Sequence, residues 1–156
     1  MNAVFERLVP PIEQQAGEVL KFTGDGLLAM FPYEAEADLP QRCRDALTGA
    51  QAAQTAIAGV GDDTEIDEAI RCGIALHPGR VLFGNVGTES RLDFTAIGEA
   101  VNMAARLEAV AGELSRDIVV SADFMNAEGG SYGSLGHFDL KGFEGEREVF
   151  APSPTS

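Results

Sequence analysis

Positive charge is scarce in this chain. Lys and Arg number 11 against 25 Asp and Glu in 156 residues, a formal net charge of −14. Such a surface repels a phosphate backbone, so nucleic acid is not an expected partner. A small nucleotide is still compatible, because a few local cations and bound divalent metals can reverse the field within one cleft. Long apolar runs are lacking too. None approaches the ~20 residues needed to span a bilayer, and no cationic-then-apolar leader opens the chain. The expectation is a soluble, cytoplasmic protein with no direct membrane contact from this segment. Cysteine is scarce, and Cys43 and Cys72 show no C-x-x-C spacing. Both read as small, buried, reduced thiols. No internal repeat or linker divides the sequence.

What is present suffices for one core. The chain is 45% hydrophobic and 23% charged, ordinary values for a globular domain. Apolar spacing predicts a helix from Asn2 to about Ala16, with Pro10 and Pro11 kinking or restarting it. Val19–Thr23 and Leu27–Phe31 read as two strands joined by Gly24-Asp25-Gly26, which is hairpin chemistry. An alanine-rich helix follows from Asp38, a candidate N-cap, to about Ile57. Ala69–His77 and Arg80–Val86 read as strands around a Pro78-Gly79 turn, and Gly87–Leu92 reads as a polar projecting arm. A helix is expected from Ile97 to about Ala111, ended by Gly112. Then come a strand at Ile118–Val120, a short helix capped by Ser121, and closing strands at Leu135–Leu140 and Arg147–Ala151. The domain spans residues 1–151, with 152–156 a disordered tail. The mixture of strands and helices predicts an α+β fold.

The stretch Leu20–Phe31, LKFTGDGLLAMF, sets one cation and one carboxylate around a tight apolar turn. Gly24-x-Gly26-x-x-Ala29 after a strand, with Asp45 roughly twenty residues on, invites a dinucleotide-binding reading. That motif needs a helix to start within the glycines, and Pro32 leaves no room for one. Taken alone, Asp25 is a turn residue and Lys21 an exposed strand lysine. In LDFTAIGEAVNMAARLEAV (Leu92–Val110), Asn102 and Arg106 lie four apart on one helix face. Ala100, Ala104, Leu107 and Ala111 form the opposite stripe, expected to pack on a sheet. An Asn/Arg face is commonly just solvated, yet Arg grips phosphate oxygens well and Asn can orient a sugar.

Three ordered motifs now carry a family resemblance. EVLKFTGDGLLAMFP (Glu18–Pro32) resembles the metal-binding hairpin of class III nucleotidyl cyclases, the adenylate and guanylate cyclase catalytic domain. CGIALHPGRVLFGNVGTESRLDFTAIGEAVNMAARLE (Cys72–Glu108) resembles that family's dimer arm and substrate helix. LGHFDLKGFEGEREVFA (Leu135–Ala151) resembles its C-terminal strands. The similarity runs in register through nearly the whole chain.

The resemblance implies a ferredoxin-like βαββαβ sheet with helices on one face. It implies a head-to-tail homodimer, or a heterodimer with another cyclase domain, with composite sites that take ATP. Asp25 is then one of two aspartates holding two Mg²⁺ or Mn²⁺ ions per site. Those ions would activate the ribose 3′-hydroxyl and neutralise the triphosphate for attack at the α-phosphorus. Lys21 matches the base-selecting position: an ammonium only donates, which suits the bare N1 of adenine and not the N1–H of guanine. Thr95 matches its partner, accepting from the adenine amine. Asn102 orients the ribose, Arg106 meets charge developing at the α-phosphate, and Lys141 holds the triphosphate.

The family pattern also begins with a strand bearing the other metal aspartate, in a run like F-x-D-I-x-G-F-T. These 156 residues begin inside the helix just before the hairpin, so the expectation is a domain lacking its first strand and helix, with that strand's place beside Leu27–Phe31 left open. The alternative reading is a non-catalytic or half-site cyclase partner, or a nucleotide-binding regulatory module.

Overall fold

The computed structural model describes residues 2–23, 26–58, 73–86 and 93–153. The chain opens with helix α1 (Asn2–Gln14) and hairpin strands β1 (Glu18–Thr23) and β2 (Gly26–Met30). A 3-10 turn at Glu36–Asp38 runs directly into α2 (Leu39–Ala58). Strands β3 (Ile74–Leu76), β4 (Leu82–Val86) and β5 (Asp93–Ile97) lead to helix α3 (Glu99–Leu114). The order closes with β6 (Ile118–Ser121), α4 (Ala122–Glu128), β7 (Tyr132–Asp139) and β8 (Glu146–Pro152). The fold is α+β.

The largest sheet runs β3-β6-β8-β7, parallel between β3 and β6 and antiparallel elsewhere. Every residue of β6 is buried. Neighbouring side chains of a strand point to opposite faces, so a fully buried run must be covered twice. One face carries Ile118, Val120 and Phe150, packed with Cys43, Ala46 and Ala50 of α2 and Phe124 of α4. The other carries Val119 and Val149, packed with Met103, Leu107, Val110 and Ala111 of α3. This corrects the expectation of helices on one face. Each fully buried aliphatic side chain contributes roughly 1.5–3 kcal/mol, so this two-sided layer is the main source of stability.

Two hairpins complete the fold as separate two-stranded sheets, β1–β2 and β4–β5. A third cluster, Leu8 of α1 with Ala53 and Ile57 of α2, carries Leu27 of β2 and Ile74 of β3. Both strands rest on these helices, and among the described residues no ladder joins them.

Several boundaries differ from the expected ones for physical reasons. Helix α1 runs through Pro10 and Pro11. Neither proline can donate to the carbonyl four residues back, and the residues there, Glu6 and Arg7, are exposed. Ile97, expected to start the helix, instead ends strand β5 (Asp93–Ile97), and Gly98 makes the bend at φ 141°. Helix α3 passes Gly112 and stops at Leu114, because Ser115 adopts the left-handed cap conformation at φ 54°. Its buried stripe is Met103, Leu107, Val110 and Ala111, whereas Ala100 and Ala104 are only half-buried. Asp38 ends the 3-10 turn that leads into α2. Ser121 does cap α4, its Oγ accepting from the Phe124 N–H at 3.1 Å. Strand β8 continues through Pro152, opposite Tyr132, and the Ser153 N–H donates to the Ser131 carbonyl at 3.0 Å. Cys72 and the Gly87–Leu92 arm lie outside the described residues.

Candidate active site

After the glycines of the first hairpin the chain forms strand β2, where a dinucleotide site requires a helix. Lys21 lies in β1 opposite Leu28. The register shifts between Val19 and Lys21, so Leu20 is an extra residue just upstream of the lysine. Such bulges re-aim the side chains that follow them and are frequent beside active sites. Asp25 lies outside the described residues.

Helix α3 presents its polar face as the spacing implied. Asn102 and Arg106 are both exposed, one turn apart, while Met103 and Leu107 beside them are buried. The Asn102 N–H donates to the Gly98 carbonyl at 3.3 Å, so the asparagine belongs to the first turn. Thr95 sits mid-strand in β5, opposite Gly84. Strand β5 touches both β1 and α3, so the elements bearing Lys21, Thr95, Asn102 and Arg106 are consecutive neighbours in space. Lys141 is exposed and follows buried Leu140. Leu140 and Phe143 pack with the α3 cluster, which seats the turn carrying Lys141 against the same helix. Gly142 and Gly145, at φ 94° and 71°, supply the positive φ angles of that turn.

The fold thus gathers the backbone elements of five candidate residues around β5 and α3. It does not place the sixth, Asp25. Among the described residues, no group of three or more His, Cys, Asp or Glu side chains converges to hold a metal ion. The described side chains therefore do not by themselves form the cradle that two divalent cations require.

Structure also reveals partners that sequence reasoning missed. His77 Nδ1 lies 2.7 Å from Ser121 Oγ, tying the turn after β3 to the start of α4. Burial pushes the His77 pKa down, against the opposing pull of Asp123 and Glu99, with Arg147 lowering it further. Two residues on, a Cβ at Gly79 would come within 2.5 Å of the Ala100 Cβ, so this turn abuts the first residues of α3. Arg42 of α2 donates to the Ala16 carbonyl at 3.0 Å and to the Pro32 carbonyl at 3.1 Å. Neither contact had a local signal, since Ser121 and Ala16 are remote in sequence from their partners. Cys43 is buried as expected, and burial first, with Glu128 adding and Arg44 opposing, pushes its thiol pKa up to about 11.

An α+β domain whose α3 sets an exposed Asn/Arg face next to β5, with β5 touching β1, fits the class of nucleotidyl cyclases. A family model for the adenylate and guanylate cyclase catalytic domain matches residues 1–151, and the chain belongs to that family. It is 28% identical to the terminal-differentiation-specific adenylate cyclase of Dictyostelium discoideum, over 84% of this chain and 6% of that protein. Among solved structures it resembles the adenylyl cyclase CyaB from P. aeruginosa, with a TM-score of 0.85, 21% identity, and coverage of 99% of this chain and 81% of that one. The guanylyl cyclase Cya2 gives a TM-score of 0.79 at 23% identity, covering 96% of this chain and 76% of that one. At those identities the two structures establish the fold. The chain spans about a quarter or less of the curated relatives' own length. No described helix is long and apolar enough to cross a membrane.

Proposed function

We propose that this domain is an adenylate cyclase, converting ATP to 3′,5′-cyclic AMP and pyrophosphate at a site shared between two cyclase domains. The observation that carries this reading is the exposed Asn102/Arg106 face of α3, set next to the strand of Thr95, which in turn touches the strand of Lys21. Lys21 donates to adenine N1 and Thr95 accepts from the exocyclic amine, a pairing that guanine reverses. Asn102 orients the ribose. The 3′-hydroxyl gives up its proton to solvent, its oxygen attacks the α-phosphorus to form the new O3′–P bond, and the bond from that phosphorus to the α,β-bridging oxygen breaks to release pyrophosphate. Arg106 meets the negative charge that builds on the α-phosphate oxygens, and Lys141 holds the departing phosphates. Divalent ions suit this family's chemistry, and Asp25 is the one ligand proposed from this chain.

In this reading Asp25 serves one composite site, while Lys21, Thr95, Asn102, Arg106 and Lys141 of the same chain serve the other. Mixing two inactive variants of the full-length protein, Asp25→Asn and Arg106→Ala, tests it directly. Half of a random mixture is heterodimer with one intact site of two, so activity should return to about a quarter of wild type. No recovery on mixing, with both variants folded and dimeric, would refute the shared site. Absence of cyclic AMP from the wild-type protein with ATP and Mn²⁺ would refute the reaction.

A further inference from the structure

We infer that Arg42 is a positioning residue that fixes the angle of the β1–β2 hairpin, and thereby the aim of Lys21; its catalytic consequence rests on the function proposed above. Arg42 belongs to α2, away from the candidate substrate residues, and its guanidinium addresses both ends of the hairpin at once. Its Nη2 donates to the carbonyl of Ala16, two residues before β1 begins, at 3.0 Å. Its Nε donates to the carbonyl of Pro32, two residues after β2 ends, at 3.1 Å. Its Nη1 donates to Asp45 Oδ2 at 2.8 Å, and Gln41 Nε2 holds the other Asp45 oxygen at 3.0 Å. The guanidinium carbon lies 5.7 Å from the centre of the Phe31 ring.

Phe31 is itself lodged at the hairpin base. A Cβ on Gly17 would meet its ring at 2.8 Å, and one on Gly49 of α2 would meet it at 3.4 Å. The base is therefore gripped between α2 and the bend after α1. Further along, Phe22 of β1 is 56% exposed, while its cross-strand partner Leu27 packs against Leu8, Ala53 and Ile57. With the chain entering and the chain leaving it tied to one guanidinium, the hairpin takes its direction from its base. Lys21 lies three residues past the start of β1, about 10 Å along the strand, so a tilt of about 5° at the base shifts its backbone by roughly 1 Å. Displacements of about 1 Å are enough to cost about a hundredfold in rate at a reacting centre.

The geometry requires arginine. Three separate acceptors lie in different directions around one planar fork, and a lysine ammonium presents no such fork. Lysine at this position would keep the charge and lose the simultaneous hold on both carbonyls.

The test compares full-length wild type with Arg42→Lys and Arg42→Met, the second retaining an apolar stem over Phe31. Amide hydrogen exchange is read for Leu20–Phe31 and, as an internal reference, for Ile118–Ser121. Loss of charged hydrogen bonds at the base should speed hairpin exchange by about tenfold in both variants and leave β6 unchanged. The ratio of kcat/KM for ATP to that for GTP should fall by about tenfold in both. Hairpin exchange at the wild-type rate, or equal acceleration of hairpin and β6, would overturn the positioning role. So would a loosened hairpin with an unchanged base ratio. A wild-type protein without cyclase activity would remove the proposed reaction, while exchange would still decide whether Arg42 holds the hairpin.

Discussion

Strand β6 and the β1–β2 hairpin are built by opposite rules. Val119 and Val120 of β6 are fully buried, with helices on both faces and a neighbour strand on each side. Every residue of β2 is only half-buried, and the hairpin has a single ladder and a grip at its base. The first arrangement makes a slab closed on both faces, and the second leaves a hairpin that is only partly covered. Opening free energies differ accordingly between such regions of one protein. Helix α3 joins the two regimes. Its buried stripe belongs to the slab, and Asn102 and Arg106 one position away belong to the candidate site.

That contrast can be broken most sharply on two adjacent residues. Arg106→Ala should lower kcat by about a hundredfold or more while shifting stability by less than about 0.5 kcal/mol, since the side chain is exposed. Leu107→Ala should do the reverse, removing roughly 2–5 kcal/mol of stability while the folded fraction keeps its KM. Steady-state kinetics and denaturant melts on both variants decide the matter. A large stability loss for Arg106→Ala would place it in the slab.

Acid should act on the slab through His77. Its pKa is lowered from the ordinary 6.5, chiefly by burial. As pH falls below 6.5 the unfolded chain takes up this proton before the folded one does. Stability from this group is therefore complete above 6.5 and is lost as pH falls toward the lower folded value. His77→Asn should flatten that part of the stability profile, read by melts at a series of pH values. An unchanged slope would mean that His77 stays neutral or ionised alike in both states. The smallest effect concerns Cys43. A buried thiol with its pKa near about 11 should react with iodoacetamide at pH 8 far more slowly than the same peptide after unfolding. Equal rates would show that α2 opens easily.

The sequence disclosed these two regimes unequally. The Asn102/Arg106 face was legible because helical spacing and exposure are local properties, and Ser121 announced its cap for the same reason. The antiparallel pairing of the strands flanking Gly24–Gly26 was also legible, because hairpin chemistry is local. Two-sided burial of β6 was missed, although its unbroken apolar run Ile118–Val120 carries that signal. Strand β5 was hidden because its five residues run directly into a helix through one glycine. The Arg42 and His77 contacts were invisible because they close over long separations, to Ala16 and to Ser121. Roles for Lys21, Thr95, Lys141 and Asp25 came from family resemblance, and the fold brings together the elements of the first three.

Base choice is the point on which the proposed reaction turns, since the family contains both adenylate and guanylate cyclases. The most direct measurement is kcat/KM for ATP and for GTP in the full-length protein and in its Lys21→Glu variant. Wild type should prefer ATP. Exchanging a donor for an acceptor leaves a mismatched buried pair costing ~1–3 kcal/mol, so the ATP:GTP ratio should fall by about tenfold to a hundredfold. A wild-type preference for GTP, or a ratio that Lys21→Glu leaves unmoved, would contradict the assignment of this domain as an adenylate cyclase.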